Sequence, residues 1–159
     1  MTDAGHKRGS MPRILVLHGP NLGALGTREP DVYGRVSLET IDRGLQGLAG
    51  ELGCEVECRQ TNHEGVLIDA LHNARAVANG VLLNPGGLTH TSVALRDAVA
   101  AAGLPVVEVH VSNPAAREPF RHASLLSGAA VGVVQGFGPE SYGLALRALV
   151  GVLNRAAHA

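Results

Sequence analysis

With 159 residues, 13 basic and 14 acidic side chains and a formal net charge of −1, the chain is long enough for one domain with a buried core, and it carries no electrostatic footprint for nucleic acid or an anionic membrane. No apolar run reaches the ~18 residues of a membrane span, and Met1 to Pro12 lacks the apolar centre of a secretion signal, so a cytoplasmic protein is expected. Cys54 and Cys58, in one expected strand, would stand roughly 13 Å apart, beyond disulfide reach, and read as small buried or half-buried hydrophobes.

In chain order, residues 1–11 are polar and Gly-containing and predict a disordered tail, which leaves 12–159 as a single domain. An apolar run predicts a strand at Arg13 to His18. Gly19 to Gly34 follows, dense in Gly and Pro, which disfavours helix or strand and predicts a mobile flap hung on a rigid strand end. That loop holds the fixed cation Arg28 and one of only two tyrosines, Tyr33, and a loop that carries both looks chemical rather than connective.

The clearest helix opens at Ser37, a good N-cap, and repeats apolar residues at Leu38, Ile41, Leu45, Leu48 and Leu52. Gly44, Gly47 and Gly50 weaken it by about 1 kcal/mol each relative to alanine, so packing must hold it. Strands are expected at Cys54 to Arg59, Gly80 to Asn84, Pro105 to His110 and Ala130 to Gln135, and helices at Glu64 to Ala78, Thr91 to Ala102 and Pro139 to Ala156. The last helix is apolar almost all round, through Leu144, Ala145, Leu146, Ala148, Leu149, Val150, Val152 and Leu153, which suggests an oligomer interface.

Strands alternating with helices predict an α/β, flavodoxin-like, doubly wound sandwich with a five-stranded parallel sheet. Such sheets collect ligands outside the carboxyl ends of their strands. Asn21, Asn84, His90, His110 and Ser112 all fall at or just past those ends, which gathers separate stretches of sequence into one crevice.

Three stretches in order, Gly19-Pro20-Asn21 through Tyr33-Gly34, Asn84-Pro85-Gly86-Gly87-Leu88-Thr89-His90-Thr91-Ser92 through Ala98, and Glu108-Val109-His110-Val111-Ser112-Asn113, resemble the type II 3-dehydroquinate dehydratases. The resemblance runs from about residue 13 to 156. It implies reversible trans-dehydration of 3-dehydroquinate to 3-dehydroshikimate through an enolate, in the shikimate pathway of aromatic amino acid biosynthesis or in quinate breakdown. It further implies no cofactor, no metal, and trimers assembled into a homododecamer.

By this resemblance Tyr33 is the general base that takes the C2 proton, although an isolated loop tyrosine is ordinarily surface. A free phenol is ionised about one time in a thousand at pH 7. A guanidinium close by favours the charged form, and Arg28, five residues away, is the expected source. Asn21, otherwise a turn former, is expected to hold a water near the developing enolate oxygen. Glu108 and His110 share one face of a strand; a structural pair is the ordinary reading, and the resemblance makes His110 the general acid for the departing hydroxyl with Glu108 supporting it.

Asn84, His90, Val111, Ser112 and Arg121 match the substrate-binding positions, and Asp97 matches an acid that reaches into a neighbouring subunit's site. Arg117 matches a further arginine whose role the resemblance leaves open. His6, His63, His72, His122 and His158 read as solvent or packing histidines. The chain departs from the common pattern at His18 and Gly23, where asparagine is usual, and at Leu125, where tyrosine is usual; Gly23-Ala24 is expected to loosen the flap.

Other functions fit less well. A flavin or nucleotide module on this fold would need aromatic stacking surface, against an aromatic content of 3%, or the lysine of a phosphate loop, which Gly19 to Thr27 lacks. A metal hydrolase built on His18, His90 and His110 has no ligand spacing to recommend it. A silent relative that only binds the metabolite is disfavoured because every reactive position is filled. Between the two routes for dehydrating such a ring, an imine needs a buried lysine, and the sole lysine is Lys7 in the tail.

Overall fold

The computed structural model describes residues 10–159, so the expected tail lies outside the described residues except for Ser10 and Met11, which have no regular structure. Five parallel strands, β1 (Arg13–His18), β2 (Glu55–Gln60), β3 (Gly80–Asn84), β4 (Val106–His110) and β5 (Gly132–Gln135), form one sheet in the order β2-β1-β3-β4-β5. The doubly wound α/β fold expected from the sequence is present. β4 begins one residue later than the apolar pattern suggests, because Pro105 has no N–H to give the ladder, although its carbonyl still accepts from Val81 at 3.0 Å.

Four long helices flank the sheet: α2 (Leu38–Leu52), α3 (Glu64–Val77), α4 (Val93–Ala101) and α5 (Glu140–Ala157). Ser37 caps α2 by accepting from Thr40 N–H at 3.2 Å. Ser92 does the same for α4 from Leu95 N–H at 2.9 Å, which sets its start two residues after the expected Thr91. Nothing faces Gly44, Gly47 or Gly50 of α2, so that helix is held through Ile41, Leu45 and Ala49 on its buried side.

The loop after β1 corrects one expectation. It contains a 3₁₀ turn, Leu22–Ala24, and a four-residue helix, α1 (Pro30–Tyr33). Proline opens α1 at its first turn, where the missing N–H has no helical partner to lose, so its presence favours the helix instead of breaking it. Leu22 and Leu25 are buried in the core, and Tyr33 packs partly against the same cluster. The segment is thereby tied to the domain at several points.

Alternation along the strands divides the core between two faces. Ile14, Val16, Leu82, Val107 and Val109 pack with α2 and α5; Leu15, Leu17, Val81, Leu83 and Val106 pack with α3 and α4. At the carboxyl ends the pattern turns polar without changing period. His18 and Asn84, paired in register, continue the first face, while Glu108 and His110 continue the second. No helix among the described residues is long and apolar enough to cross a membrane.

Candidate active site

Where the strand order reverses, between β1 and β3, the carboxyl ends open a crevice. Two loops meet there through backbone. Gly19 N–H donates to Asn84 carbonyl at 2.8 Å, and a Cβ on Gly19 would lie 2.8 Å from the carbonyl carbon and oxygen of Pro85, so only glycine permits that approach. The resulting cavity, about 160 Å³, is lined by Asn21, Arg28, Tyr33, Asn84, His90 and His110, with Val111, Ser112, Arg117 and Arg121 also on its wall. These residues come from stretches spread over a hundred positions. Glu108 stands behind His110, and Asp97 is elsewhere, with its side chain 70% exposed beside Arg96 at 3.8 Å.

Tyr33 ends α1 with two guanidinium groups near its ring, Arg28 at 5.0 Å and Arg117 at 5.1 Å from the ring centre. The hydrogen bond to the phenol oxygen comes from Arg117, whose Nη1 donates at 2.7 Å and also reaches Ser112 Oγ at 3.3 Å. Arg28, the sequence's favoured partner, instead covers the ring face and lies 3.6 Å from Glu29. His122 supports this arrangement from behind, since its Nε2 donates to the Arg117 carbonyl at 2.9 Å. It is therefore a packing histidine with a specific position to hold.

His110 projects from the end of β4 with Nε2 2.6 Å from Glu108 Oε1, which leaves Nδ1 toward the cavity. Glu108 is 1% exposed, and its oxygens accept from Thr89, Ser124 and Ser127 hydroxyls as well as from His110; Ser127 Oγ to Oε2 is 2.6 Å and Ser124 Oγ to Oε1 is 2.9 Å. Burial alone would raise its pKa, but the hydrogen bonds from His110, Ser127 and Thr89 outweigh that and hold the carboxyl at about 2. An ionised acceptor thus fixes Nε2 of the imidazole as a donor. Thr89, Ser124 and Ser127 were missed in the sequence, where hydroxyls in loops carry no distinguishing signal.

Asn21 adopts a left-handed backbone (φ 69°), and its N–H donates to Asn62 Oδ1 at 3.0 Å. Gln60, at the end of β2, bonds both Asn62 (3.0 Å) and the Gly19 carbonyl (3.2 Å), and a Cβ on Gly23 would meet Gln60 Oε1 at 3.1 Å. Gly23 therefore adjoins a side chain that braces the loop. His90 gives Nδ1–H to the Ala123 carbonyl at 2.7 Å, which leaves Nε2 as its free nitrogen. Arg121 holds Glu118 at 2.5 Å and stacks on Phe120 while still lining the cavity. Leu125 packs on the α3/α4 cluster.

His18, His90 and His110 do not converge on a common point. Among the described residues the group close enough to share an ion is His18, Asp42 and Cys58, with ligand atoms within 4.8 Å of one another, on the opposite face of the sheet from His110. Every buried side-chain polar atom among the described residues already has a hydrogen-bond partner.

The chain is similar to known proteins along most of its length. The sequence profile of the family described as "Dehydroquinase class II" matches residues 12–150. A 3-dehydroquinate dehydratase of Gloeobacter violaceus is 58% identical over 145 residues, 91% of each chain. One from Halothermothrix orenii is 50% identical over 148 residues, 93% of this chain and all of that one. Among solved structures, the type II dehydroquinase of Butyrivibrio crossotus superposes with a TM-score of 0.86 at 40% identity, covering 89% of this chain and 99% of that one.

Proposed function

The chain belongs to the class II dehydroquinases and is a 3-dehydroquinate dehydratase of the shikimate pathway, and from that premise we propose that it removes water through an enolate, with Tyr33 as base and His110 as acid. The observation that carries this reading is the convergence of two differently supported groups on one cavity: a phenol held by Arg117 and Arg28, and an imidazole held by Glu108.

In the forward direction the Tyr33 oxygen, as phenolate, takes the proton from C2 beside the ketone. Its hydrogen bond from Arg117 strengthens as the oxygen carries charge, and Arg28 over the ring adds a second fixed cation. The electron pair left at C2 moves onto the ketone oxygen, where Asn21, at the mouth of the loop, holds a water against the enolate. Collapse of the enolate expels the C1 hydroxyl, which takes a proton from Nδ1 of the His110 imidazolium and leaves as water. Glu108 keeps Nε2 protonated throughout, so Nδ1 is the nitrogen that exchanges.

Asn84, His90, Ser112, Arg121 and the Val111 backbone bind the ring hydroxyls and carboxylate, a role suited to a wall that mixes donors and acceptors. Asp97 completes the site of an adjoining subunit within a trimer-based dodecamer, a reading supported by its exposure and by its absence from the wall of its own cavity. This route uses no imine, and among the described residues there is no lysine to form one. Adding 3-dehydroquinate and following the conjugated enone by ultraviolet absorbance tests the reading; no rise across a range of pH and salt would remove its support.

A further inference from the structure

Behind Asn84, on the α2/α5 side of the sheet, a buried polar chain leads away from the cavity. Asn84 Nδ2 is 2.9 Å from the Tyr142 hydroxyl, that hydroxyl is 2.8 Å from His18 Nδ1, and His18 Nε2 is 2.8 Å from Asp42 Oδ1. His18 is fully buried and Tyr142 is 1% exposed. At the other end of the amide, Gly86 N–H donates to Asn84 Oδ1 at 3.1 Å.

These contacts permit a single direction of donation. Gly86 N–H can only donate, so the amide atom facing it is the oxygen, and the atom facing Tyr142 is the nitrogen, which also can only donate. Tyr142 therefore accepts from Asn84 and has one acceptor left for its own proton, His18 Nδ1. His18 then carries its proton on Nε2 and gives it to Asp42. Burial pushes the Tyr142 phenol well above its ordinary range, so it remains an O–H donor. Burial and the Asp42 carboxylate likewise push the Cys58 thiol up to about 12, so the far end of the chain is closed by a neutral thiol. Every donor in the series points toward one carboxylate, an alignment in which each bond polarises the next.

We propose that Tyr142, aligned by His18 and Asp42, is a positioning residue that locks the Asn84 amide in one orientation toward bound substrate. One hydrogen-bonding valence at each end of the amide is taken internally; one N–H and one oxygen lone pair remain, a pairing that fits a substrate hydroxyl, which both donates and accepts. The proposal rests on reading the cavity as the dehydratase site. It also gives His18, a departure from the common asparagine, a specific task.

A double-mutant cycle with 3-dehydroquinate as substrate tests it. Tyr142→Phe, which keeps the ring in the core, should raise KM about tenfold and leave kcat within about threefold. In an Asn84→Ala background the same change should add less than about twofold, because the residue it positions is gone. An equal rise in KM in both backgrounds, or a loss in kcat alone, overturns the proposal. Asp42→Asn run through the same cycle decides the matter if the Phe variant does not fold, with a smaller KM rise of about threefold that also vanishes without Asn84. Nitrogen-15 NMR of the parent enzyme should find His18 protonated on Nε2, and a proton on Nδ1 in its place would reverse the chain and overturn it. Absence of dehydration by the parent would instead refute the reading of the cavity, while the NMR result would still decide the direction of the network.

Discussion

Arg117 Nη1 donates to the Tyr33 phenol oxygen at 2.7 Å across 84 positions of sequence, whereas Arg28, only five positions away, meets the ring face at 5.0 Å. The two cations are therefore unequal. A charge-assisted hydrogen bond is worth roughly 1.5–3 kcal/mol and an exposed cation–π contact roughly 0.5–1. Arg117→Gln should lower kcat by about 10- to 100-fold, and Arg28→Gln by less. Steady-state kinetics on both variants check this, and a larger loss from Arg28→Gln would assign the dominant support of the base to the ring-face contact.

Tyr33→Phe removes the proton acceptor while keeping most of the cavity wall. Turnover should fall by about 10²- to 10⁴-fold or more at every pH, while a product-like ligand still binds in calorimetry. Retained turnover would mean that another group takes the C2 proton.

Glu108 supplies a pH dependence of stability with a definite sign. Its folded pKa, about 2, lies below the ordinary 4.5, so the carboxylate's contribution is fully present above about 4.5 and is lost as pH falls toward about 2. A difference of that size corresponds to stability on the order of 3 kcal/mol. Glu108→Gln should be less stable than the parent at neutral pH, and the gap should narrow between about pH 4.5 and 2 in denaturant titrations, where a constant gap would contradict the assignment. The same variant should lose activity because the imidazole loses its ionised partner.

Asp97 stands 70% exposed and away from its own cavity. If it serves an adjoining subunit, reassembled mixtures of Asp97→Ala and Tyr33→Phe chains should regain activity that neither has alone. Mixtures as inactive as their components would confine Asp97 to its own chain or to assembly.

The strands, the Ser37 cap and the strand-end residues Asn21, Asn84, His90, His110 and Ser112 are legible from local signals: apolar period, cap chemistry and position at a strand end. Arg28 and Tyr33 are marked by the loop that carries them, whereas Val111, Arg117 and Arg121 enter only through the resemblance to the family. The short helix at Pro30–Tyr33 is not legible, because a stretch dense in Gly and Pro signals a break in helix although proline is favoured at a first turn. The Arg117 contact and the hydroxyls of Thr89, Ser124 and Ser127 were hidden for a different reason. They act across long separations, and nothing in a lone serine or arginine tells which distant group it will meet. The His18, Asp42 and Tyr142 chain is legible only once β1, α2 and α5 are brought together.

The central claim, dehydration through an enolate with no imine, is tested most directly by borohydride trapping. Enzyme incubated with 3-dehydroquinate and borohydride, then weighed intact by mass spectrometry, should keep its original mass and its activity after the substrate is removed. A mass gain equal to reduced substrate, together with inactivation, would contradict the account.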